Sequence, residues 1–320
     1  HLSIRRQRQM CIRDRRNALR ERDKIKIYQE ESPKTPLWLT ERWKAEWGEN
    51  YINIENAHRV LSPPIDLCVK EDPLVWADKL NGYYISNKTV RLNNTSLISD
   101  LEGFESGDWW VQDYSSQIPA TLLNIKKGDE VLDLCAAPGG KTSQLVAMGA
   151  EVTSIDGNKK RIERLKENLS RLNYTSSIIH SDVRDFKSEK KWSKIILDAP
   201  CSSTGTLRRH PDIMHIKKEN DIRSLEKLQS DLLLSSWKLL SENGSLIYCT
   251  CSLEVEEGEN QIFKFIKENK DAEIERILPG EVSGLKELIT EDGLLRIFPD
   301  HLSEIGGMDG FFIARLKKVS

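Results

Sequence analysis

Two cysteine-containing segments carry the residue types best suited to covalent chemistry. Leu197–Gly205 reads LDAPCSSTG and Tyr248–Ser252 reads YCTCS, and each begins at the end of an apolar run that predicts a buried strand. A cysteine thiol is partly ionised near neutral pH, so its thiolate can serve as a nucleophile. Because ligands bind beyond the carboxyl ends of strands in open α/β sheets, Cys201 and Cys251 can reach the same ligand. Of the pair Cys249 and Cys251, we expect only one to face this site.

A glycine-rich turn follows an earlier predicted strand. Asp133–Lys141 reads DLCAAPGGK, in which small residues allow a ligand to approach the backbone and Gly139 and Gly140 allow unusual dihedral angles. The turn lacks the G-x-G-x-x-G pattern of dinucleotide-binding sites. Its GKT ending matches a phosphate-binding loop, but Cys135 stands where that loop requires its first glycine. Neither pattern fits this turn.

Three aspartates end or directly follow three successive predicted strands. Asp156 lies where a carboxylate can bind both hydroxyls of a ribose, and Asp182 lies where an adenine amino group can be met. Asp198 ends the next strand. One acidic residue at such a place is commonly a helix cap, but three along the same sheet edge favour a ligand site.

Composition excludes several classes of protein. The chain has 320 residues and 38% hydrophobic residues, enough for one large domain and a smaller one. No apolar run approaches the length of a membrane span and no signal peptide is seen, so we expect a cytoplasmic protein. Six cysteines without a secretion signal indicate reduced thiols. Their spacing lacks the paired ligands of zinc sites, so we expect no metal.

Strands that alternate with helices predict the main fold. This pattern is typical of a parallel, doubly wound sheet with both faces covered, so we expect an α/β fold with a Rossmann-like, mixed and mostly parallel sheet. Leu294–Phe298 and Gly310–Leu316 are expected to form an antiparallel hairpin at one sheet edge. The predicted strands are Glu130–Cys135, Glu151–Ile155, Ser177–His180, Lys194–Leu197 and Ser245–Cys249, and the predicted helices are Lys141–Met148, Lys159–Leu172 and Asp221–Leu240.

The residues ahead of this domain predict a smaller unit. We expect a small α+β subdomain at residues 33–112 and the larger domain at residues 113–320. Residues 1–32 form a basic leader, with ten Lys/Arg against three Asp/Glu in the first 26 residues, which we expect to be disordered or non-native. The first methionine is Met10, so we expect a fragment. The elements of the subdomain are predicted at Trp38–Trp47, Ile65–Val69, Asp72–Leu80, Tyr83–Ile85 and Val90–Leu92.

A second basic cluster follows the first cysteine segment. Its residues are Arg208, Arg209, His210, Lys217 and Lys218. A local basic footprint can bind phosphates although the net charge is −2, while a solvated charged face is at least as frequent for such a cluster alone. Trp109 and Trp110 can stack on bases, although packing between the two domains is the more frequent role.

Taken together, these motifs resemble those of RNA cytosine-5 methyltransferases. Asp133–Lys141, Asp198–Thr204 (DAPCSST) and Thr250–Ser252 are similar to the signature motifs of that family, and most closely to the bacterial ribosomal RNA enzymes of the RsmB/Sun type. Similar segments also occur at Val111–Asp113, Arg208–Asp212 and Asp309–Phe312. Such enzymes usually carry a helical RNA-binding domain ahead of the small unit, and we expect that nearly all of it is missing here.

The resemblance implies a class I methyltransferase fold, an RNA-binding role for the small subdomain, and S-adenosylmethionine as cofactor. It implies that Cys251 is the nucleophile, that Cys201 assists release of the methylated base, and that Arg161 helps to fix the cofactor region. The residues implied to contact the cofactor are Cys135, Ala136, Ala137, Pro138, Gly139, Gly140, Lys141, Asp156, Asp182 and Asp198. The basic cluster would then contact phosphates that flank the target base.

The chemistry of cytosine agrees with these roles. Carbon 5 is too weak a nucleophile to attack a sulfonium methyl unaided, but a thiolate that adds to carbon 6 makes carbon 5 enamine-like. The addition places negative charge on N3, so we expect Asp198 to hold a proton beside the base. Cys201, or a water that it holds, is expected to take the carbon 5 proton before Cys251 leaves. The base must be out of its stack, and small-subunit ribosomal RNA is the expected substrate.

Other interpretations stay open at this point. DNA enzymes of analogous chemistry have their nucleophile in a Pro-Cys segment, which would be Cys201, whereas the Thr-Cys-Ser segment favours Cys251 and RNA. A nucleotide hydrolase built on the GKT turn would bind ATP with magnesium, and Cys135 argues against it. A third possibility is a non-catalytic RNA-binding protein that has kept the fold. We expect a monomer in each case.

Overall fold

Two β-sheets form the framework of the computed structural model, which describes residues 35–59, 62–86, 88–93 and 97–319. The basic leader predicted at residues 1–32 lies outside the described residues. Within the described ranges, no helix has both the length and the apolar composition required to cross a membrane. The division into domains between residues 112 and 113 stays a prediction.

The first two helices pack against the loops that carry the cysteines. Helix α1 (Leu37–Trp47) and helix α2 (Tyr51–His58) bury a small apolar cluster between them and the rest of the chain. The residues of this cluster are Leu39, Trp43, Ile54, Leu207, Met214 and Leu253. Because Leu207 and Leu253 lie a few residues after Cys201 and Cys251, these helices pack against the segments that follow both cysteines.

The smaller sheet confirms the elements predicted between residues 65 and 92. Its strands are β1 (Ile65–Val69), β2 (Tyr83–Ser86), β3 (Thr89–Leu92) and β4 (Trp109–Val111), in the antiparallel order β2-β3-β1-β4. Helix α3 (Pro73–Lys79) begins where Asp72 accepts a hydrogen bond from the Leu74 amide at 2.9 Å. An Asp cap followed by proline is a strong helix start.

Trp109 and Trp110 belong to this small sheet and are both buried. Trp109 packs in the core of the sheet, and its indole nitrogen donates to the Glu102 carbonyl at 2.9 Å. Trp110 packs against Leu172 and Tyr174 and donates to the Gln112 side chain at 2.7 Å. The idea that these rings stack on RNA bases is therefore wrong, because neither ring is presented to solvent.

The larger sheet contains all the strands predicted after residue 129. Its parallel strands are β5 (Glu130–Leu134), β6 (Glu151–Asp156), β7 (Ser177–His180), β8 (Trp192–Asp198) and β9 (Leu240–Thr250). The antiparallel strands are β10 (Ala272–Ile274), β11 (Leu295–Ile297) and β12 (Phe311–Lys318). The order is β10-β12-β9-β8-β5-β6-β7, with β11 paired to β12. This confirms the Rossmann-like, mixed and mostly parallel α/β fold.

The helices of this domain follow the predicted alternation. They are α4 (Tyr114–Thr121), α5 (Gly140–Ala147), α6 (Lys159–Arg171), α7 (Ile213–Ile216), α8 (Glu219–Leu239) and α9 (Glu259–Glu268). Helix α6 has a clear amphipathic pattern, because Ile162, Leu165 and Leu169 recur on one face and are all buried. Helix α4 was missed, since its polar residues and internal Pro119 weaken any helical pattern.

The prediction of a hairpin at one sheet edge is confirmed. β11 and β12 pair antiparallel as expected. β9 pairs with one side of β12, and β11 and β10 pair with successive parts of its other side, so these two short strands form this edge of the sheet. β10 was not predicted, because a three-residue segment is too short to give an alternating pattern.

Candidate active site

The carboxyl ends of β5, β6, β8 and β9 bring the predicted site residues to one edge of the sheet. Asp198 is the last residue of β8 and lies beside Cys249 of β9 in the parallel register. Cys251 comes directly after β9, and Cys135 comes directly after β5, where it adopts a left-handed backbone with φ 59°. The sequence thus predicted correctly which segments meet.

Cys201 and Cys251 form a pair of free thiols. Their Sγ atoms are 3.5 Å apart, within hydrogen-bonding range for sulfur. The Ser203 hydroxyl lies 3.5 Å from the Cys251 sulfur and 3.9 Å from the Cys201 sulfur, placed there by a left-handed residue with φ 63°. The expected convergence of two thiols from neighbouring strand tips is therefore present.

The two thiols differ in acidity. The hydrogen bond from Cys201 lowers the pKa of Cys251, and a hydrogen bond from Ser203 acts in the same direction. The same contact with Cys251, together with burial, raises the pKa of Cys201 well above its ordinary value. In such a pair Cys251 is the more acidic thiol, and Cys201 is the one that donates the hydrogen bond.

The expectation that only one of Cys249 and Cys251 faces the site is wrong. Residues two apart on an extended strand point to the same face, so both side chains lie on the same side of the sheet. Cys249 is buried with its sulfur 3.5 Å from Asp198 Oδ1. Burial raises the pKa of Cys249 well above its ordinary value, so this thiol stays protonated beside the site.

Lys141, which is buried, forms an ion pair with Asp198, whose side chain is about one third exposed. Lys141 Nζ lies 2.8 Å from Asp198 Oδ2 and 3.2 Å from the Ser116 hydroxyl. Burial alone would lower the pKa of Lys141, but the Asp198 carboxylate raises it above the ordinary value. The sequence predicted that Asp198 holds a proton beside the base, whereas here its side chain faces the Lys141 ammonium. In the GKT turn of a nucleotide hydrolase the lysine would have to face phosphates, whereas here it is turned toward Asp198.

A cleft runs from Cys135 to the start of the first cysteine loop. It has a volume of about 200 Å³ and is lined by Cys135, Asp156, Gly157, Asp182, Val183 and Pro200, among others. Asp156 is buried and accepts hydrogen bonds from the Ala137 amide at 3.1 Å and the Asn158 amide at 2.8 Å. Arg161 donates to the Ala137 carbonyl and lies 3.8 Å from Asp156 Oδ2.

The remaining residues of the glycine-rich turn mostly pack inward. Ala136 and Ala137 are buried against Leu165 and Leu169 of α6, whereas Pro138 is exposed. Gly139 has φ +103°, and a Cβ there would lie 2.4 Å from the Leu165 side chain. The turn is therefore shaped by packing against α6, and Gly140 begins α5.

Asp182 and Asp133 complete the acidic groups near the cleft. Asp182 is bound by Arg184, whose Nη2 lies 2.7 Å from Oδ2. Asp133 is buried under the turn and accepts from the Thr142 hydroxyl at 2.5 Å, while its Oδ1 has no protein partner among the described residues. Burial raises the pKa of Asp133 to about 7.

The basic cluster divides into one buried residue and several exposed ones. Arg208, expected to contact phosphates, is buried instead: its Nη2 lies 2.5 Å from Asp113 Oδ2 and its Nε lies 2.9 Å from Asp309 Oδ1. Arg209 also bonds Asp309, with Nε 2.9 Å from Oδ1, but about a third of its side chain stays exposed. The residues of the cluster that remain open to solvent besides Arg209 are His210, Lys217 and Lys218.

Several residues that organise the site were not singled out from the sequence. Glu257 is buried and bonds Ser202 and Ser252, the residues that directly follow the two cysteines. Arg296 donates to the Ser252 carbonyl at 2.6 Å. The repeated Cys-Ser step is the one signal that could have indicated a shared partner, because the acidic run around Glu257 otherwise predicts a solvated surface.

Metal ligation finds no support in the part of the chain that the structure describes. In those residues, no group of three or more His, Cys, Asp or Glu side chains has the arrangement needed to hold a metal ion. The five described cysteines are free thiols.

The mixed sheet with its site at the strand tips is the α/β fold of class I methyltransferases. A methyltransferase homolog protein from Pyrococcus horikoshii is 27% identical with a TM-score of 0.71, covering 87% of this chain and 94% of that one. NSun6 from the same organism, solved with the S-adenosylmethionine analogue SFG, has a TM-score of 0.76 at 21% identity, covering 90% and 100%. The family model for 16S rRNA methyltransferase RsmB/F matches residues 120–317. The chain belongs to that family.

Curated relatives of similar sequence carry one name. The ribosomal RNA small subunit methyltransferase B of Photorhabdus laumondii subsp. laumondii is 38% identical over 298 residues, which are 88% of this chain. The protein of the same name from Yersinia enterocolitica is 38% identical over 303 residues. The chain spans 66% of the length of both relatives.

Proposed function

We propose that this chain methylates carbon 5 of a cytosine in RNA, with S-adenosylmethionine as the methyl donor and small-subunit ribosomal RNA as the substrate. The observation that carries the proposal is the pair of thiols, with Sγ atoms 3.5 Å apart, at the sheet edge that also holds Asp198. Membership of the RsmB/F family and the names of the relatives support the choice of RNA. Ribosomal RNA modification of this kind would take place in the cytoplasm.

Cys251 is the nucleophile in this proposal. The hydrogen bond from Cys201 lowers the pKa of Cys251, so the thiolate is available to add to carbon 6 of the base. Carbon 5 then becomes enamine-like and forms the bond to the methyl group. Because Cys201 is held as a thiol, the carbon 5 proton leaves to a water that Cys201 holds, the double bond re-forms, and Cys251 departs as a thiolate. Placing both thiols against one ring supplies proximity for each step.

Lys141 and Asp198 together suit the ring of a cytosine. Negative charge that develops on the ring during thiolate addition is stabilised by the buried Lys141 ammonium, which is held 2.8 Å from Asp198 Oδ2. The Asp198 carboxylate accepts a hydrogen bond from the exocyclic amine, a donor that cytosine has and uracil lacks. The ion pair therefore replaces the single protonated acid expected from the sequence.

The cleft beside Cys135 fits S-adenosylmethionine. Its lining offers the Asp156 and Asp182 carboxylates as acceptors, and Gly157 lines the same cleft without a side chain. Asp156 would accept from the ribose hydroxyls and Asp182 from the adenine amino group. When bound, S-adenosylmethionine supplies an electrophilic methyl group. Arg161 fixes the turn by bonding the Ala137 carbonyl.

The exposed part of the basic cluster would bind the RNA backbone. Arg209, His210, Lys217 and Lys218 follow the first cysteine loop and are open to solvent or half-buried, so they can reach phosphates that flank a flipped-out cytosine. The small sheet would add a second RNA contact, and the protein would act as a monomer.

The decisive experiment incubates the protein with radiolabelled S-adenosylmethionine and small-subunit ribosomal RNA and then maps 5-methylcytosine. Cys251→Ala is expected to abolish transfer, because no thiolate remains to activate the base. Cys201→Ala is expected to leave a protein–RNA adduct that survives denaturant, because the adduct forms but is not resolved. Normal methylation by Cys251→Ala would refute the assignment of the thiols. RNA binding without any methylation by the unaltered protein would indicate a non-catalytic RNA-binding protein.

A further inference from the structure

Glu257 is a fully buried carboxylate that the proposed reaction does not use. It lies in a short 3-10 turn, Val255–Glu257, between the nucleophile segment and helix α9. A buried carboxylate is costly unless donors surround it. Glu257 therefore needs a structural or functional reason to be where it is.

The donors around Glu257 come from both cysteine loops. Oε1 accepts from the Ser202 amide at 2.9 Å, and Oε2 accepts from the Ser202 and Ser252 hydroxyls, the latter at 2.5 Å. The two hydroxyls are themselves 3.1 Å apart. Gln229 on α8 adds a donor to Oε1 at 3.0 Å and also bonds the Pro200 carbonyl at 2.9 Å.

The main chain of Glu257 extends the same connection to the strand below. Its carbonyl accepts from the Tyr248 hydroxyl at 2.9 Å and from the Thr250 hydroxyl at 3.2 Å. A single residue is thus bonded to the end of β9, to the residue after Cys251 and to the residue after Cys201.

We propose that Glu257 is a positioning residue that holds Cys201 and Cys251 at contact distance by bonding the serine that follows each of them. The role rests on the proposed function, because a fixed distance between the thiols has catalytic value only if both act on one base. Ser202 and Ser252 are one peptide bond away from the sulfur-bearing residues, so a shift of either serine moves its cysteine directly.

The charge of Glu257 also favours the hydrogen bond between the two cysteines. Burial raises the pKa of Glu257, while the hydrogen bonds from Ser202, Ser252 and Gln229 oppose that rise and favour the carboxylate. After the contact with Cys251 and burial, the charge of Glu257 is a further cause that raises the pKa of Cys201. Cys201 is thereby kept as a thiol, the form that can donate a hydrogen bond to the Cys251 thiolate.

The test compares Glu257→Gln with Glu254→Gln in the full chain. Glu254 is a matched control because it is also buried and lies in the same segment, but its carboxylate bonds Arg42 and Trp43 on α1. Two readouts are measured for each variant. The first is kcat and KM for methylation of ribosomal RNA, and the second is the pH dependence of iodoacetamide alkylation at Cys251, followed by peptide mass spectrometry without RNA or cofactor.

Glu257→Gln is expected to lower kcat on the order of 10²-fold, which is the size of effect that a misplacement of about 1 Å produces. The KM values for RNA and for S-adenosylmethionine are expected to stay unchanged. Its Cys251 is expected to titrate at higher pH than in the unaltered protein, with about tenfold slower alkylation at neutral pH for each unit of pKa. Glu254→Gln is expected to keep the wild-type kcat and the wild-type titration of Cys251. Ser252→Ala, which removes one donor to Glu257 and the acceptor for the Glu254 amide, is expected to give an intermediate shift and serves if Glu257→Gln does not fold.

Two results would overturn the role of Glu257. One is a wild-type titration of Cys251 in both Glu257→Gln and Ser252→Ala; the other is an equal shift in Glu254→Gln. Alkylation of Cys251 is measured without RNA or cofactor, so a failure of the positioning role can be distinguished from a failure of the proposed function. If the unaltered protein methylates no RNA but Glu257→Gln still shifts Cys251, the positioning role stands and the proposed function falls.

Discussion

The buried carboxylate of Asp133 gives a prediction that the unliganded protein can test. Asp133 lies near the end of β5, under the glycine-rich turn, and Thr142 donates to its Oδ2 at 2.5 Å. Burial raises its pKa from the ordinary 3.8 to about 7, and the nearby Asp198 carboxylate adds to that rise. The perturbation is Asp133→Asn, which keeps the shape and the acceptor for Thr142 but cannot ionise.

The expected effect depends on pH because the folded state binds the Asp133 proton more tightly than the unfolded state. The contribution to stability is fully present below pH 3.8 and is lost as pH rises through about 7. A rise of about three pKa units at about 1.4 kcal/mol each makes this loss about 4 kcal/mol at most. The asparagine avoids the loss but leaves a buried amide N–H without a partner, at about 1–3 kcal/mol. The variant should therefore gain about 1–3 kcal/mol above pH 7 and lose about 1–3 kcal/mol in acid, where only the cost of the unpaired amide remains.

Thermal unfolding at several pH values between 5 and 8 measures this difference. One kcal/mol shifts Tm by about 2–4 °C in domains of roughly 150–250 residues, so the Tm of Asp133→Asn should move upward relative to wild type as pH rises. Asp129→Asn is a control, because a hydrogen bond from Lys194 lowers the pKa of Asp129, so its contribution to stability changes only in acid and its Tm difference from wild type should stay constant between pH 5 and 8. A Tm difference for Asp133→Asn that stays constant across this pH range, or shrinks toward pH 8, would refute the reasoning.

Three further predictions concern the loops around the site. Gly205→Ala should destabilise the fold by about 1–3 kcal/mol in denaturant unfolding, because its Cβ would lie 2.0 Å from a backbone oxygen; an unchanged midpoint would contradict this. Arg208→Met should cost about 3–5 kcal/mol, because the buried Asp113 carboxylate loses its cation and Asp309 keeps only Arg209. Lys218→Ala should leave stability unchanged and reduce by about one the slope of the logarithm of RNA affinity against the logarithm of salt concentration. Hydrogen peroxide should join Cys201 to Cys251, the two thiols losing two electrons and two protons as peroxide becomes water, so that activity falls and dithiothreitol restores it; inhibition that persists in dithiothreitol would contradict this.

The sequence predicted the fold well because the pattern of the parallel strands is strong. Residues 131–134 and 195–197 are buried runs, and each is followed by a residue with a polar or reactive side chain, Cys135 or Asp198. Strand ends of this kind must meet at one edge, so the convergence of Cys201 and Cys251 followed from the topology alone. Topology does not give the distance between the sulfur atoms, which depends on the loops after the strands.

Charged residues account for most of what the sequence could not indicate. Arg208 and Glu257 occur in runs of like charge, which usually predict a solvated surface, yet both are buried. Each is stable there because its partners are far away in sequence: Asp309 for the arginine, and Ser202 for the glutamate. A single sequence does not show such long-range pairing, so the basic cluster was predicted to be wholly exposed and Glu257 was not singled out.

The pairing of Asp198 with Lys141 shows how one such contact changes the proposed chemistry. A lone carboxylate at the end of β8 could help a developing ring anion only by carrying a proton. Lys141 removes that requirement, because its ammonium lies 2.8 Å away and brings positive charge to the same place, while the carboxylate stays free to accept from an amine. The proposed mechanism thus divides between Lys141 and Asp198 the role that the sequence analysis assigned to Asp198 alone. It follows that Lys141→Met should impair the chemical step even though Asp198 is intact, whereas an unimpaired kcat in that variant would return the task to Asp198 alone.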